Sequence, residues 1–104
     1  LAHITGGGIA ENVNRIMPPT LDARIDASLL KVQPIFKKIR EVGNVSDQEM
    51  LRTFNMGVGM VVVVDTHHVH ETQELIKYAG GESYIIGEIV EGKQAVGLEG
   101  KLAL

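Results

Sequence analysis

The residues best suited to chemistry lie near the start of the chain, where three glycines, Gly6 to Gly8, follow Thr5. We call residues 5–8 the glycine turn. A helical pattern begins directly after it, and a helix start presents unpaired N–H groups and a partial positive charge. Glycines also let a ligand approach the backbone without a Cβ in the way. The pattern predicts binding of a phosphate or carboxylate; a turn that needs only positive φ angles is the alternative.

Polar side chains near this turn could contact the same ligand. His3 precedes it as a possible hydrogen-bond donor or proton carrier, and Asn12 and Arg15 share one face of the predicted helix. Position 11 is Glu11 where a dinucleotide fingerprint has its third glycine, and no P-loop lysine follows, so neither motif fits. Because Arg15 lies four residues after Glu11, an exposed ion pair is its alternative role.

A second candidate segment lies between positions 52 and 60. Thr53 and Asn55 directly precede a predicted strand, in a loop position where ligands are commonly held. Gly57 and Gly59 are two residues apart, so on a strand they would leave one face bare. That bareness indicates close approach by a ligand, a helix or another backbone, with packing as the alternative to ligand binding.

Three histidines, His67, His68 and His70, raise the possibility of a metal site, because His67 and His70 are three residues apart on a predicted helix. They lie in the polar first turn of that helix, and no second pair of ligands matches them elsewhere in the sequence. We therefore expect a solvated surface here and no metal site.

Hydrophobic spacing predicts the elements that must position these groups. Four helices are expected, over residues 9–17, 34–43, 46–52 and 66–79. Four strands are expected, over residues 21–26, 56–64, 83–90 and 94–98, the second of them fully buried and the last two joined as a hairpin through residues 91–93. This order predicts an α/β or α+β fold, with a mixed β-sheet and helices packed on it.

Length and composition exclude several classes of protein. The chain has 104 residues, 44% of them hydrophobic, and a net charge of -3, which fits one globular domain. The absence of Cys excludes disulfide scaffolds and thiol nucleophiles. An acidic balance with few aromatics argues against nucleic acid as a partner. No apolar run approaches the length of a membrane helix and no secretory signal is visible, so we expect a cytoplasmic protein without a membrane partner.

Together, the motifs resemble the signatures of one enzyme family. Residues 2–8, Ala-His-Ile-Thr-Gly-Gly-Gly, with Glu11, Asn12 and Arg15 after them, resemble a signature of the phosphoribosylformylglycinamidine cyclo-ligases, or aminoimidazole ribonucleotide (AIR) synthetases. Residues 49–60 resemble the second signature, and residues 86–89 resemble the closing strand. The resemblance covers residues 1–99 and corresponds to the later part of the family's C-terminal domain.

This resemblance implies a two-domain, homodimeric ligase of de novo purine biosynthesis that closes formylglycinamidine ribonucleotide (FGAM) to AIR with ATP and Mg²⁺. The family holds ATP and metal mainly in its N-terminal domain, so we expect no cofactor in this chain and no turnover by it alone. Residues 1–99 would be a truncated C-terminal domain and residues 100–104 a tail. The start at Leu1, without an initiator Met, agrees with a truncated chain, and missing first strands would expose an apolar edge for self-association.

The resemblance also assigns roles within part of the substrate cleft. His3 would be a catalytic residue in the manner of a general base, and the remaining residues would bind the substrate or its phosphate: Thr5, Gly6, Gly7, Gly8, Asn12, Arg15, Thr53 and Asn55. The alternative function is a stand-alone oligomerising or ligand-binding module of the same superfamily, without catalysis.

Overall fold

The computed structural model describes residues 1–100 and 102, and within them the chain forms an α+β fold, as the sequence predicts. The helices are α1 (Gly8–Asn14), α2 (Pro34–Gly43), α3 (Asp47–Thr53) and α4 (Val69–Tyr78). The strands are β1 (Ala2–His3), β2 (Leu21–Asp26), β3 (Met60–Val61), β4 (Gly87–Glu91) and β5 (Val96–Glu99). Two short 3₁₀ turns cover Ala27–Leu29 and Thr66–His68.

Local signals account for the ends of several helices. Pro34 stands at the first position of α2, and Asn44, with a φ of 50°, ends that helix in the left-handed conformation. The Ser46 hydroxyl accepts a hydrogen bond from the Glu49 N–H at 3.2 Å, which confirms the predicted cap of α3. Helix α1 ends at Asn14, earlier than predicted, because the next residues form tighter turns, with the Ile16 N–H donating to the Val13 carbonyl.

Strand β2 lies at the centre of a three-stranded mixed sheet with the order β4–β2–β5. It pairs antiparallel with β4, where Leu21 faces Glu91, and parallel with β5, where Ala23 faces Val96. The predicted hairpin between β4 and β5 is therefore wrong, since these strands lie on opposite sides of β2. Residues 92–95 cross the start of β2 and bond to it, with the Gly92 N–H donating to the Thr20 carbonyl at 2.9 Å.

The second sheet contains two short antiparallel strands, β1 and β3, with Ala2 facing Val61 and His3 facing Met60. The predicted buried strand over residues 56–64 is wrong, because only Met60–Val61 is strand. The residues before it form a turn in which Met56 has a φ of 54°. Val62, Val63 and Val64 after it are 41%, 43% and 37% exposed, since β1 is too short to pair with them.

The hydrophobic core lies between α1, α3 and one face of β2. Its largest fully buried side chains are Ile9, Val13, Met50 and Met56. Leu102, in the predicted tail, is also buried against this core, whereas residues 101, 103 and 104 of that tail lie outside the described residues. Helices α2 and α4 contain no fully buried residue. Phe36 and Ile39 of α2 are half-buried and pack against the core, whereas Val42 and Leu75 are exposed.

Candidate functional site

The fold brings the two candidate segments side by side, although about 45 residues separate them along the chain. Next to the β1–β3 pair, the Ile4 N–H donates to the Gly59 carbonyl at 3.0 Å. On the other side of the turn, Gly8 lies so close to α3 that a Cβ on it would collide with the Leu51 carbonyl oxygen. The glycine turn is therefore held between the end of α3 and the segment that enters β3.

Two of the three glycines in the glycine turn are required for conformational reasons. Gly7 and Gly8 have φ angles of 97° and 77°, which side chains of L-amino acids rarely adopt. The Gly8 N–H donates to the Thr5 carbonyl at 3.2 Å and closes the turn. Gly6 has a negative φ and open space around its Cα. Gly7 and Gly8 thus fit the alternative that the turn needs glycine for its positive φ angles, whereas Gly6 has no such conformational requirement.

Asn12 holds this turn in shape from inside the protein. Its side chain is buried, with the residue 4% exposed, and its Nδ2 donates to the Gly8 carbonyl at 2.7 Å and to the Thr5 carbonyl at 3.3 Å. Its Oδ1 accepts hydrogen bonds from the Thr5 hydroxyl at 3.3 Å and from Arg15 at 3.1 Å. Sequence reasoning placed Asn12 on a ligand-facing surface; its position between Ile9 and Val13, on the apolar stripe, was the signal for burial.

Glu11 and Arg15 form the ion pair that their spacing predicts. Arg15 Nη2 lies 2.9 Å from Glu11 Oε1, and both side chains are more than half exposed, so the pair adds little to stability. Arg15 also reaches Asn12, which links the pair to the glycine turn. The Glu11 carboxylate lies against Gly7, where it occupies the space that a Cβ would need. Spacing alone had not indicated this contact.

The remaining candidate residues differ in their exposure to solvent. His3 is exposed on β1, and Thr53 is exposed at the last position of α3. Asn55 is half-buried, and its Oδ1 accepts a hydrogen bond from the Gly57 N–H at 2.9 Å. This contact stabilises the turn over Met56 and Gly57, so Asn55 has a structural role in the second segment.

Gly57 and Gly59 do not form the bare strand face that their spacing predicts. Gly57 has a φ of 89° and lies in the turn before β3. A Cβ on it would make only ordinary contact with the Lys31 carbonyl at 3.4 Å, and a Cβ on Gly59 would meet no atom within 4 Å. No close approach therefore explains either glycine; Gly57 serves the turn conformation.

The three histidines lie around the start of α4, exposed to solvent, with His68 Nδ1 at 3.4 Å from Glu71 Oε2. Within residues 1–100 and 102, no three His, Asp or Glu side chains are grouped so that they could hold a metal ion. No helix in the described part of the chain is long and apolar enough to cross a membrane.

Three curated proteins similar to this chain share one name. Residues 1–98 match the family described as "AIR synthase related protein, C-terminal domain". The chain is 47% identical over 96 residues to the phosphoribosylformylglycinamidine cyclo-ligase of Alkaliphilus oremlandii, which covers 92% of this chain and 28% of that protein. The protein of the same name from Caldanaerobacter subterraneus is 46% identical, and the match covers 92% of this chain and 29% of that protein. The one from Nitrosococcus oceani is 49% identical, and the match covers 86% of this chain and 25% of that protein. The chain thus spans less than a third of these relatives.

Proposed function

Because the chain belongs to the family of AIR synthase related C-terminal domains, we propose that it supplies part of the substrate cleft of a cyclo-ligase that converts FGAM to AIR in de novo purine biosynthesis. The observation that carries this proposal is the meeting of the two candidate segments at the glycine turn, within a stretch 46% identical over 96 residues to a protein of that name. We propose FGAM as the substrate and a homodimer as the assembled state.

Within the cleft, the glycine turn binds the 5′-phosphate of the substrate or the phosphoryl group in transfer. Backbone N–H groups of Gly6 and Gly7 donate hydrogen bonds to it, and Gly8 shapes the turn through its own bond to the Thr5 carbonyl. The Thr5 hydroxyl donates to the ligand in place of Asn12, and Arg15 supplies a positive charge. Thr53 and Asn55 line the same cleft from the second segment. These residues orient and stabilise charge, which suits phosphoryl transfer because its catalysis is largely positioning and electrostatics.

His3 is the candidate acid–base residue of this cleft. It is exposed on β1, two residues before Thr5, where an imidazole can donate a hydrogen bond to a ligand or transfer a proton. We propose that ATP and Mg²⁺ are held by another part of the full-length enzyme, as the family resemblance implies, since the chain spans less than a third of the relatives named above. This chain by itself is then inactive in cyclisation.

The phosphate-binding part of the proposal can be tested on the chain itself. Ribose 5-phosphate is titrated while the backbone amide signals of residues 5–8 are followed by NMR. We expect saturable shifts at these amides, and about tenfold weaker binding in Arg15→Gln because a charged hydrogen-bond donor is lost.

Arg24→Gln is the matched control, since Arg24 is an exposed arginine paired with Glu88 and Glu99, on the three-stranded sheet. It makes the same charge change and leaves binding unaltered. Titrations in which the amides of residues 5–8 do not move, or in which both variants weaken equally, contradict the proposed site.

A second candidate function, a module for oligomerisation or ligand binding without catalysis, is favoured by one observation. Several large apolar side chains are exposed, among them Val63, Leu75 and Tyr78, and such surface suits a partner chain. This candidate predicts association without phosphate binding at the glycine turn, so the same titration separates the two functions.

A further inference from the structure

Strand β3 and the three valines after it, residues 60–64, form an apolar segment at the surface, which we call the valine edge. Its side chains at positions 60, 62, 63 and 64 are all exposed. The segment contains neither glycine nor proline, and no charged residue lies between Arg52 and Asp65. Such a segment has a high β propensity, and no charge within it opposes pairing with another strand.

The pairing of β1 with β3 decides which backbone groups point away from the protein. The Ile4 N–H donates to the Gly59 carbonyl, so these two residues form a hydrogen-bonded pair of the antiparallel ladder. Because such pairs alternate along a strand, Gly59 directs its polar backbone groups toward β1, and Met60 directs its own away from β1. In extended backbone the alternation continues, so Val62 and Val64 also direct their N–H and C=O groups away from β1.

The backbone of the last three valines has no hydrogen-bond partner. Within residues 1–100 and 102, no hydrogen bond joins a backbone group of residues 62–64 to another group of the chain. Among the strands that the structure describes, β1 alone pairs with β3. The valine edge is therefore an unpaired strand edge, and its exposed N–H and C=O groups can pair with another strand.

A second copy of the chain fits this edge by symmetry. With a two-fold axis at Val62, the two copies of Val62 face each other, and Met60 of each copy faces Val64 of the other. These are the residues whose polar groups point to the free edge, so the two strands exchange about six hydrogen bonds. Their side chains lie on one face of each strand and also meet. Asp65 faces Gly59 of the second copy, which keeps the two Asp65 carboxylates about 20 Å apart, so like charges do not oppose the pairing.

We propose that two copies of this chain pair antiparallel along the valine edge, about a two-fold axis at Val62, and form a four-stranded sheet with the order β1–β3–β3–β1. This inference rests on the proposed function, in that it takes the homodimer from there and names its surface. Residues 60–64 are far fewer than the roughly 20–30 residues that each partner contributes to a stable interface. The pairing is therefore weak and reversible in the isolated chain.

Cysteine cross-linking tests this pairing, because the chain has no cysteine of its own. Val62→Cys is incubated with oxidised glutathione, and the disulfide-linked dimer is measured over time by non-reducing gel electrophoresis. The Cα atoms of a hydrogen-bonded pair lie about 5.5 Å apart, which a disulfide can span. We expect Val62→Cys to cross-link about tenfold faster than Val42→Cys, on the exposed face of α2, because pairing holds the two sulfurs at a high effective concentration.

Val64→Cys is the matched control for the register. Val64 is an exposed valine of the same edge, but its two copies lie about 13 Å apart in the proposed pairing, which is too far for a disulfide. Val64→Cys alone should cross-link no faster than Val42→Cys. A mixture of Val64→Cys with Met60→Cys, whose positions face each other, should form the mixed dimer, which mass spectrometry identifies. Circular dichroism establishes that each variant is folded.

The outcomes separate this interface from the rest of the proposed function. Equal cross-linking of Val62→Cys and Val64→Cys overturns the two-fold register, and cross-linking of Val62→Cys only at the rate of Val42→Cys overturns the interface. In the second case, a dimer of the unaltered chain in sedimentation velocity leaves the homodimer standing on another surface. The phosphate titration at residues 5–8 is a separate measurement, so its failure contradicts the phosphate site and leaves the interface untouched.

Discussion

At the scale of single residues, the polar side chain with the most contacts at the glycine turn is the buried amide of Asn12. It donates to three carbonyl groups of the turn and accepts from Thr5 and Arg15. Its removal would delete these bonds, among them the 2.7 Å bond to the carbonyl of the buried Gly8, and would leave the Thr5 hydroxyl and Arg15 without this acceptor.

We therefore expect Asn12→Ala to lower the free energy of unfolding by about 1–3 kcal/mol. Urea denaturation followed by circular dichroism measures this change. Gln48→Ala is the control, because Gln48 is exposed on α3 and a surface substitution changes stability by about 0.5 kcal/mol or less. Equal stabilities of Asn12→Ala and the intact chain would show that the network does not hold the turn.

At the scale of elements, the packing of α1 against α3 depends on Gly8. Its φ is 77°, and a Cβ would collide with the Leu51 carbonyl oxygen, which belongs to the backbone and cannot move aside as a side chain would. Both strain and collision oppose any larger residue.

Gly8→Ala should accordingly destabilise the fold by about 1–3 kcal/mol or more. Gly97→Ala provides the control, since Gly97 has no positive φ and a Cβ there would meet no atom within 4 Å. Thermal unfolding of both variants measures the difference. A Gly8→Ala protein as stable as Gly97→Ala would contradict the close approach of the two helices.

A second prediction at this scale concerns the crossing segment between β4 and β5. The Asp22 carboxylate accepts hydrogen bonds from the N–H groups of Lys93 at 2.7 Å and Ala95 at 2.8 Å. Both bonds lower the pKa of Asp22 below its ordinary value of 3.8, and the bond from Ala95 has the larger effect. A depressed folded-state pKa means that this stabilisation is fully present above the ordinary pKa and is lost as the pH falls below it.

We expect the chain to lose stability as the pH falls below about 4, and Asp22→Asn to lose less, because the amide does not titrate. The urea midpoint measured at neutral and at acid pH gives the difference. Asp26, whose pKa is lowered by Ser28, keeps part of the acid sensitivity in both proteins. Glu74→Gln serves as control and retains the full acid sensitivity. An Asp22→Asn chain that is as acid-sensitive as the unaltered one would contradict the prediction.

At the scale of the whole molecule, several large apolar side chains are exposed to solvent. Strand β3 stops at Val61, and the valines that follow have no strand partner in the described part of the chain and are partly exposed. An apolar segment beside an unpaired strand edge favours pairing with a second chain.

The chain should therefore self-associate with increasing concentration, and Val63→Lys should weaken this association because a charge on an edge strand opposes pairing. Sedimentation velocity over a range of concentrations measures the dissociation constant. Val42→Lys, on the exposed face of α2, is the matched control and keeps the association of the unaltered chain. A monomer at every concentration would contradict the prediction.

Sequence alone determined the features that depend on neighbouring residues. The alternation over residues 21–26 predicted the bounds of β2, and Pro34 and Ser46 predicted the starts of α2 and α3, because caps and periodicity act within one or two turns of the chain. The two motifs also indicated the family, and the positive φ angles of Gly7 and Gly8 agree with the glycine turn.

Only the tertiary structure decided which strands pair and which contacts the polar side chains make. Strand β5 pairs in parallel with β2 because residues 92–95 cross over it, held by Asp22, and the four valines did not become a buried strand because β1 covers only the first of them. Residue spacing on α1 contained a signal for the burial of Asn12, but the position of Glu11 on Gly7 depends on the left-handed backbone of Gly7. These features depend on hydrogen bonds and contacts that form only when the chain is folded, and residue spacing along one helix or strand does not predict them.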